Sequence, residues 1–385
     1  MQTQLHKVTS KLPNAKTTIF TTVGILAAKH KAVNLSQGFP DFDMDPKLIQ
    51  LANSAMLKGH NQYAPMQGSY PLREIISKKI ESLYGTKYHP DTEITITIGA
   101  TQAIFTTITA FINPNDEIIV FKPAYDCYEP AIEVNGGIPI FVQLQGKDYK
   151  IDWEDFKNKI TPRTKMVIVN TPHNPSGTIL SKEDVLQIQE ILRDTNIIVI
   201  SDEVYEHIVF DGKEHQSFSK FSDLASRSFI CSSFGKTFHA TGWRLGYCAA
   251  PEELMKEFRK THQFNVFSCH HPTQIALAEY LKNPENYLGL NSFFEEKRNF
   301  FLENIKESRF KFTPCEGTYF QLLDYSNITD ESDVDLAERL IIEHKLASIP
   351  ISVFNTGQID NKQLRFCFGK KKETLEKAAE ILNKI

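Results

Sequence analysis

Seven short apolar runs in the middle of the chain constrain its fold more than any other feature. They are rich in β-branched residues and lie at 94–98, 117–121, 138–144, 166–169, 197–200, 228–231 and 245–249. Helical periodicity separates several of them, at 101–112, 152–160 and 182–193. Because the runs do not alternate with polar residues, both faces of each strand are expected to be covered. The pattern predicts an α/β fold with a mainly parallel seven-stranded sheet flanked by helices.

The segments after this region predict a second, smaller domain. Strand-like runs at 312–314, 319–323 and 364–368 precede a C-terminal helix that starts at Lys372, an order typical of an α+β unit. The sequence therefore predicts a large domain over residues 47–275 and a small C-terminal domain over residues 276–385. Residues 1–46 are expected to form an N-terminal arm and part of the small domain.

Charge and composition exclude several classes of partner. The 385-residue chain has a net charge of −4 and no clustered basic stripe, which argues against nucleic acid. No apolar run approaches the roughly 18 residues of a membrane span, so no membrane partner is expected. Six scattered cysteines without a C-x-x-C pair are typical of free thiols in a reducing cytoplasm. No metal site is expected, since His270 and His271 lack a third ligand at suitable spacing.

Lys236 is the candidate reactive residue. It follows the run at 228–231, and ligands of open α/β sheets bind beyond strand ends. A lysine forms a Schiff base with a carbonyl compound when its surroundings lower its pKa. Ser233 and Arg244 flank it, and both residue types bind phosphate. Pyridoxal 5'-phosphate is a carbonyl compound that carries a phosphate, so it fits all three residues.

Other strand ends carry groups that suit the same cofactor. Asp202 follows the run at 197–200 and can pair with a protonated pyridine nitrogen. Tyr205, three residues later, and Asn174, after the run at 166–169, can donate to the phenolate oxygen. Small residues at 99–103 open a helix and form a phosphate cradle. Each feature alone also fits a structural role, such as a helix N-cap for Asp202.

Two further residues can complete a site for cofactor and substrate. Tyr125 can stack on a pyridine ring or can be an ordinary loop aromatic. Arg365 lies inside an apolar strand-like run, where an unpaired guanidinium is costly. Bidentate binding of a substrate carboxylate explains this arginine, and so does a structural ion pair.

Nearly the whole chain resembles the fold-type I pyridoxal-phosphate-dependent aminotransferases of class I. Five motifs resemble the branch of methionine aminotransferases and kynurenine or glutamine transaminases: LSQGFPD at 35–41, NQYAPM at 61–66, NTPHNP at 170–175, SDEVYE at 201–206 and CEGTYF at 315–320. The resemblance implies the fold of these transferases. Some members of the branch have lysine in place of Arg244, and many have a small residue in place of His239.

The resemblance also implies a role for each site residue. Lys236 forms the Schiff base, Asp202 contacts the pyridine nitrogen, and Tyr125 covers the ring. The remaining cofactor contacts are Ala100, Thr101, Ser233 and Arg244 on the phosphate, with Asn174 and Tyr205 on the phenolate. Gly38, Asn174 and Arg365 are implied to bind the substrate carboxylate. Tyr63 is implied to reach the phosphate of the neighbouring subunit, so a homodimer is expected.

The implied activity is transfer of an amino group to a 2-oxo acid through a Lys236 Schiff base and pyridoxamine phosphate. Phe39, Tyr63 and Tyr125 suit an apolar, thioether or aromatic donor, such as methionine, with kynurenine and glutamine as further candidates. A cysteine-conjugate β-lyase and an aspartate or aromatic aminotransferase are the nearest alternatives.

Two other classes of protein fit single features of the sequence. Ser233 and Lys236 match the S-x-x-K motif of serine acyl hydrolases, but the S-D-N and K-T-G motifs of that class are missing from the sequence. An aminotransferase-like module that senses a ligand without catalysis is the third interpretation. It predicts cofactor binding without transamination.

Overall fold

The computed structural model describes residues 9–385. The helices are α1 (Ile19–His30), α2 (Pro46–Leu57), α3 (Tyr70–Tyr84), α4 (Gly99–Phe111), α5 (Tyr128–Val134), α6 (Trp153–Asn158), α7 (Lys182–Leu192), α8 (Ser222–Ala225), α9 (Phe234–Thr237), α10 (Glu252–Asn265), α11 (His271–Tyr280), α12 (Glu285–Leu288), α13 (Leu290–Asn304), α14 (Asp333–Ile342) and α15 (Lys372–Leu382). The strands are β1 (Val33–Asn34), β2 (Ile94–Thr97), β3 (Glu117–Lys122), β4 (Ile138–Gln143), β5 (Thr164–Asn170), β6 (Ile198–Asp202), β7 (Ser228–Ser233), β8 (Gly246–Ala249), β9 (Phe320–Asp324), β10 (Leu346–Ala347), β11 (Ile349–Pro350) and β12 (Gln363–Cys367).

The predicted seven-stranded sheet is confirmed, with strand order β2-β8-β7-β6-β5-β3-β4. Only β8 runs against the others, because it pairs antiparallel with both β2 and β7. Successive strand residues alternate between two apolar clusters: Val199 belongs to one and Ile200 to the other. Both faces of the sheet are therefore covered, which explains why the apolar runs do not alternate with polar residues.

The C-terminal part of the chain forms a small antiparallel sheet, β11-β12-β9. Strand β1 pairs in parallel with β10, so the N-terminal segment joins this part of the fold. The strand predicted at 312–314 is wrong, since only a single bridge between Lys311 and Asp324 forms there. Pro314 has no N–H to donate to a ladder. The start of the predicted N-terminal arm, residues 1–8, lies outside the described residues, and the domain boundaries stay a prediction.

The direction of the strands brings the candidate residues to one edge of the sheet. Strands β2, β3, β5, β6 and β7 share a direction, so their carboxyl ends lie at the same edge. The amino end of β8 lies at that edge too, because this strand runs in the opposite direction. Its residue Gly246 pairs with Ser233, while Asp202 pairs with both Asn170 and Cys231.

A buried ion pair fixes the turn that follows β6. Glu206 accepts hydrogen bonds from Lys79 (2.7 Å), Tyr84 (2.8 Å) and Ser232 (2.7 Å). Burial alone would raise the pKa of the Glu206 carboxyl, but Lys79 and these hydrogen bonds hold that pKa well below its usual range. The turn is thereby tied to both α3 and β7. No helix within residues 9–385 has the length and apolar composition needed to cross a membrane.

Candidate active site

A cavity of about 100 Å³ lies at the edge of the sheet where these strand ends meet. Most of the predicted site residues line this cavity. The residues that line it are Ala100, Thr101, Ile104, Tyr125, Asn170, Asn174, Asp202, Val204, Tyr205, Ser233, Lys236 and Arg244. Two predicted site residues lie next to the cavity lining. Gly38 is hydrogen-bonded to Lys236, and Arg365 is hydrogen-bonded to Asn174. Tyr63 does not line the cavity.

Lys236 lies in the short helix α9, directly after β7. Its Nζ donates a hydrogen bond to the carbonyl oxygen of Gly38 at 3.1 Å and lies 5.9 Å from the centroid of the Tyr205 ring. Desolvation by the surrounding protein lowers the pKa of Lys236 from 10.5 to about 8, and the nearby Arg365 and Arg244 also lower it. A substantial fraction of this amine is therefore neutral near pH 8, as a nucleophile requires.

Asp202 is the last residue of β6 and caps no helix, so the N-cap interpretation is wrong. Its Oδ2 accepts a hydrogen bond of 2.5 Å from the Tyr128 hydroxyl, and its Oδ1 accepts one of 3.3 Å from the Val204 N–H. Burial raises the pKa of Asp202 from 3.8 to about 6. Within residues 9–385, no basic side chain lies within 4.0 Å of this carboxylate. A cation held in the cavity would therefore stabilise its ionised form.

The start of α4 lines the same cavity. The helix begins at Gly99, so Ala100 and Thr101 lie in its first turn, where backbone N–H groups lack intrahelical acceptors. Gly99 has φ +71°, and a Cβ there would approach Arg244 Nη2 to 3.0 Å. Glycine thus lets the guanidinium lie against the helix N-terminus. Ser233, the last residue of β7, lines the same cavity.

Arg365 is buried, with 1% of its surface exposed. It donates hydrogen bonds to Asn174 Oδ1 at 2.6 Å and to the Ser36 carbonyl at 3.0 Å, and it lies 3.9 Å from the Phe320 ring centroid. Its Nε has no hydrogen-bond partner. No carboxylate within residues 9–385 forms a salt bridge with Arg365. The interpretation of Arg365 as a member of a structural ion pair is therefore wrong. The guanidinium therefore still has an N–H group that can donate a hydrogen bond to an anion beside Asn174.

Tyr63 lies on the surface, with 80% of its side chain exposed. Its ring packs against Phe267, with 5.3 Å between the ring centroids. Phe267 is half exposed, and Phe264 is exposed to 86%. Tyr63 and Phe267 thus form an exposed aromatic pair, and Phe264 is a further exposed ring three residues before Phe267.

Comparisons with known proteins identify the family of this chain. A family model described as aminotransferase class I and II matches residues 30–382. The chain belongs to this family. Methionine aminotransferase of Escherichia coli is 46% identical, with 98% of each chain covered, and kynurenine–oxoglutarate transaminase 1 of Rattus norvegicus is 33% identical, with 94% of each covered. The crystal structure of Escherichia coli YbdL, reported to have a methionine aminotransferase function, matches with a TM-score of 0.96, 45% identity and coverage of 99% of this chain and 100% of that one.

The family assignment decides between the classes predicted from the sequence. The mostly parallel sheet and the matching structures show the fold of the type I transferases. The aminotransferase is an enzyme, so the serine acyl hydrolase and the ligand-sensing module are wrong.

Two tyrosines near the predicted site residues were not among the residues predicted from the sequence. Tyr128 donates to Asp202, and its position three residues after Tyr125 was the available signal. Tyr319 donates to the Gly38 carbonyl at 2.7 Å and packs edge-on against Tyr205, with 5.2 Å between the ring centroids. It belongs to the motif at 315–320. His239 does not line the cavity but packs against aromatic rings of α13, and burial lowers its pKa to about 4.

The lowered pKa of Lys236 can be measured on the cofactor-free aminotransferase. Lysine reacts with acetic anhydride only as the neutral amine, so we expect labelling of Lys236 to rise with pH around a midpoint near 8. Lys306 is an internal control, because its hydrogen bond with Glu303 raises its pKa. Mass spectrometry of peptides labelled across a pH series gives both midpoints. Equal midpoints for Lys236 and Lys306 would contradict the desolvation argument.

Proposed function

We propose that this chain binds pyridoxal 5'-phosphate and transfers the amino group of an apolar, thioether or aromatic amino acid, with methionine as the preferred donor, to a 2-oxo acid. The observation that carries the proposal is the meeting of Lys236, Asp202 and the N-terminus of α4 at one cavity. Each suits a different part of this cofactor: the aldehyde, the ring nitrogen and the phosphate. The family assignment supports the same cofactor.

The residues present fit the cofactor on electrostatic grounds. Asp202 is a buried carboxylate whose pKa is raised to about 6, and a protonated ring nitrogen is the counterion that would keep it charged. Arg244, Ser233 and the first turn of α4 would hold the phosphate. Tyr125 would cover the ring. The bound cofactor supplies an aldehyde that takes up the amino group and a ring that accepts electrons from the substrate α-carbon.

Lys236 would provide both the covalent anchor and the base. Its amine, partly neutral near pH 8, would be the nucleophile that holds the aldehyde of the cofactor. Once an amino acid occupied the cofactor, Nζ would be free to act as the base for the proton on the substrate α-carbon. The Tyr205 hydroxyl and the Asn174 amide would hold the phenolate oxygen, which keeps the reacting atoms in the plane of the ring.

Arg365, Asn174 and Gly38 would bind the α-carboxylate of the substrate. The unpartnered Nε and the contact with Asn174 support this role for Arg365. Phe39 is partly exposed beside Gly38, where its ring suits an apolar or thioether side chain. Among the described residues that line the cavity, Lys236 and Arg244 are the only basic ones. A second substrate carboxylate would thus lack a cation, which disfavours aspartate and glutamate.

The choice of amino donor tests this proposal. We expect methionine and phenylalanine, added singly to the cofactor-loaded protein, to change the cofactor absorbance at least about 10-fold faster than aspartate or glutamate, because a second carboxylate lacks a counterion. Lys236→Ala should abolish the response, while Lys260→Ala, which removes an exposed surface ion pair with Glu257, should leave it intact.

Two results of this screen would contradict the proposed specificity or reaction. Faster reaction with aspartate or glutamate would show an aspartate-type enzyme. Release of pyruvate and ammonia from a cysteine conjugate without an oxo acid would show a β-lyase.

We further propose that the active unit is a homodimer in which Tyr63 reaches the phosphate site of the neighbouring subunit. The exposed rings of Tyr63, Phe264 and Phe267 support this contact, since apolar patches of this kind mark interaction surfaces. A second copy of the chain would cover them. Each site would then combine Lys236 of one subunit with Tyr63 of the other.

Mixing two inactive variants tests the shared site. Lys236→Ala and Tyr63→Ala damage different subunits of each site, so a hybrid dimer would contain one intact site and regain activity. Lys236→Ala and Asp202→Asn damage residues of the same subunit, so their hybrid should stay inactive and serves as the matched control. Co-expression with two affinity tags isolates the hybrids for methionine transamination assays. Full activity of Tyr63→Ala, or no recovery in its hybrid, would contradict a shared site.

A further inference from the structure

Tyr128 makes the shortest contact of the buried Asp202 carboxylate. It is the first residue of α5, and 2% of its surface is exposed. Its hydroxyl donates to Asp202 Oδ2 at 2.5 Å. Burial and the charge of Asp202 raise the pKa of Tyr128 well above its usual value. The hydroxyl therefore keeps its proton and acts as a donor at neutral and mildly alkaline pH.

The other partner of Asp202 is weaker. The Val204 N–H donates to Oδ1 at 3.3 Å, close to the limit for a hydrogen bond. A short hydrogen bond to a carboxylate stabilises the ionised form much more than a long one. Burial raises the pKa of Asp202 and so favours its neutral form, whereas the hydrogen bond from Tyr128 lowers this pKa and so favours the charged form. Among the described residues, the Tyr128 hydroxyl is thus the strongest donor that keeps Asp202 charged.

We propose that Tyr128 is a positioning residue that keeps Asp202 ionised and oriented, so that the proton shared with the cofactor ring stays on the ring nitrogen. This inference rests on the proposed function. Without the hydroxyl, the proton moves from the ring nitrogen to Asp202 Oδ2, which turns an ion pair into a neutral pair with no net gain or loss of protons. A neutral ring accepts electrons from the α-carbon less readily, so proton removal by Lys236 slows.

The surroundings of Tyr128 allow the hydroxyl to be removed without disturbing the packing. Its ring belongs to the apolar cluster on one face of the sheet and packs edge-on against Tyr125, with 5.9 Å between the ring centroids. Tyr128→Phe keeps that ring. Tyr88→Phe is a matched control, because Tyr88 is also buried, its hydroxyl has no partner, and it does not line the cavity.

The test reads the protonation of the ring nitrogen directly. Wild type, Tyr128→Phe and Tyr88→Phe are loaded with pyridoxal 5'-phosphate carrying ¹⁵N in the ring, and the ¹⁵N chemical shift is recorded by NMR. We expect a protonated nitrogen in wild type and Tyr88→Phe, and a shift towards the neutral value in Tyr128→Phe. With methionine as donor, kcat of Tyr128→Phe should fall about 10-fold, the size expected for one lost hydrogen bond to a charged group. KM should change little.

An unchanged ¹⁵N shift in Tyr128→Phe would overturn the proposal, whatever happens to the rate. A second comparison separates the loss of the hydrogen bond from any other effect of the substitution. In the Asp202→Asn background there is no carboxylate to stabilise, so adding Tyr128→Phe should leave the dissociation constant of the cofactor unchanged. Weaker binding in the double variant would show that Tyr128 acts by another route. Wild type that takes up no cofactor would instead refute the proposed function.

Discussion

The buried carboxylate of Asp202 is the constraint on which the rest of the site depends. Its burial raises its pKa to about 6, and the described residues provide hydrogen bonds but no close cation. A charge in such a place is costly unless a ligand compensates for it. The same desolvation acts on Lys236 in the opposite sense, since it lowers the pKa of the amine to about 8. One cavity thereby keeps a carboxylate ready for a cation and an amine ready to react.

The sheet itself carries Asp202 and Ser233, and it positions the short turns that carry Asn174, Tyr205 and Arg244. Asn170 of β5, Asp202 of β6 and Cys231 of β7 are neighbours in register. The carboxyl ends of these three strands therefore lie at the same edge of the sheet. The reversed strand β8 adds Arg244 from its amino end, and the Gly99 turn leaves room for that guanidinium. Behind the site, Glu206 and Lys79 fix the turn that carries Tyr205. A rigid frame of this kind suits chemistry that depends on a planar, fixed cofactor.

Most of the fold and much of the site could be predicted from the sequence, for physical reasons. Apolar runs indicate strands that are buried on both faces of a sheet. Polar residues soon after such runs indicate strand ends, where ligands bind, and this pattern predicts Asp202 and Lys236 as site residues. Spacing from Tyr125 points to Tyr128 as a site residue, but it does not specify the hydrogen bond to Asp202, which is a tertiary contact. The bonds from Arg365 to Asn174 and Ser36 are tertiary contacts too, so the sequence does not specify them either. No strand forms at 312–314 despite its apolar character, because Pro314 lacks the N–H that a strand ladder requires.

The covalent anchor is the most direct test of this account. The protein is loaded with pyridoxal 5'-phosphate, treated with borohydride to fix the bond between the cofactor and an amine, digested and analysed by mass spectrometry. We expect the cofactor on the peptide that contains Lys236, and we expect methionine added before borohydride to prevent the attachment. Attachment to another lysine, or attachment that methionine does not affect, would contradict it.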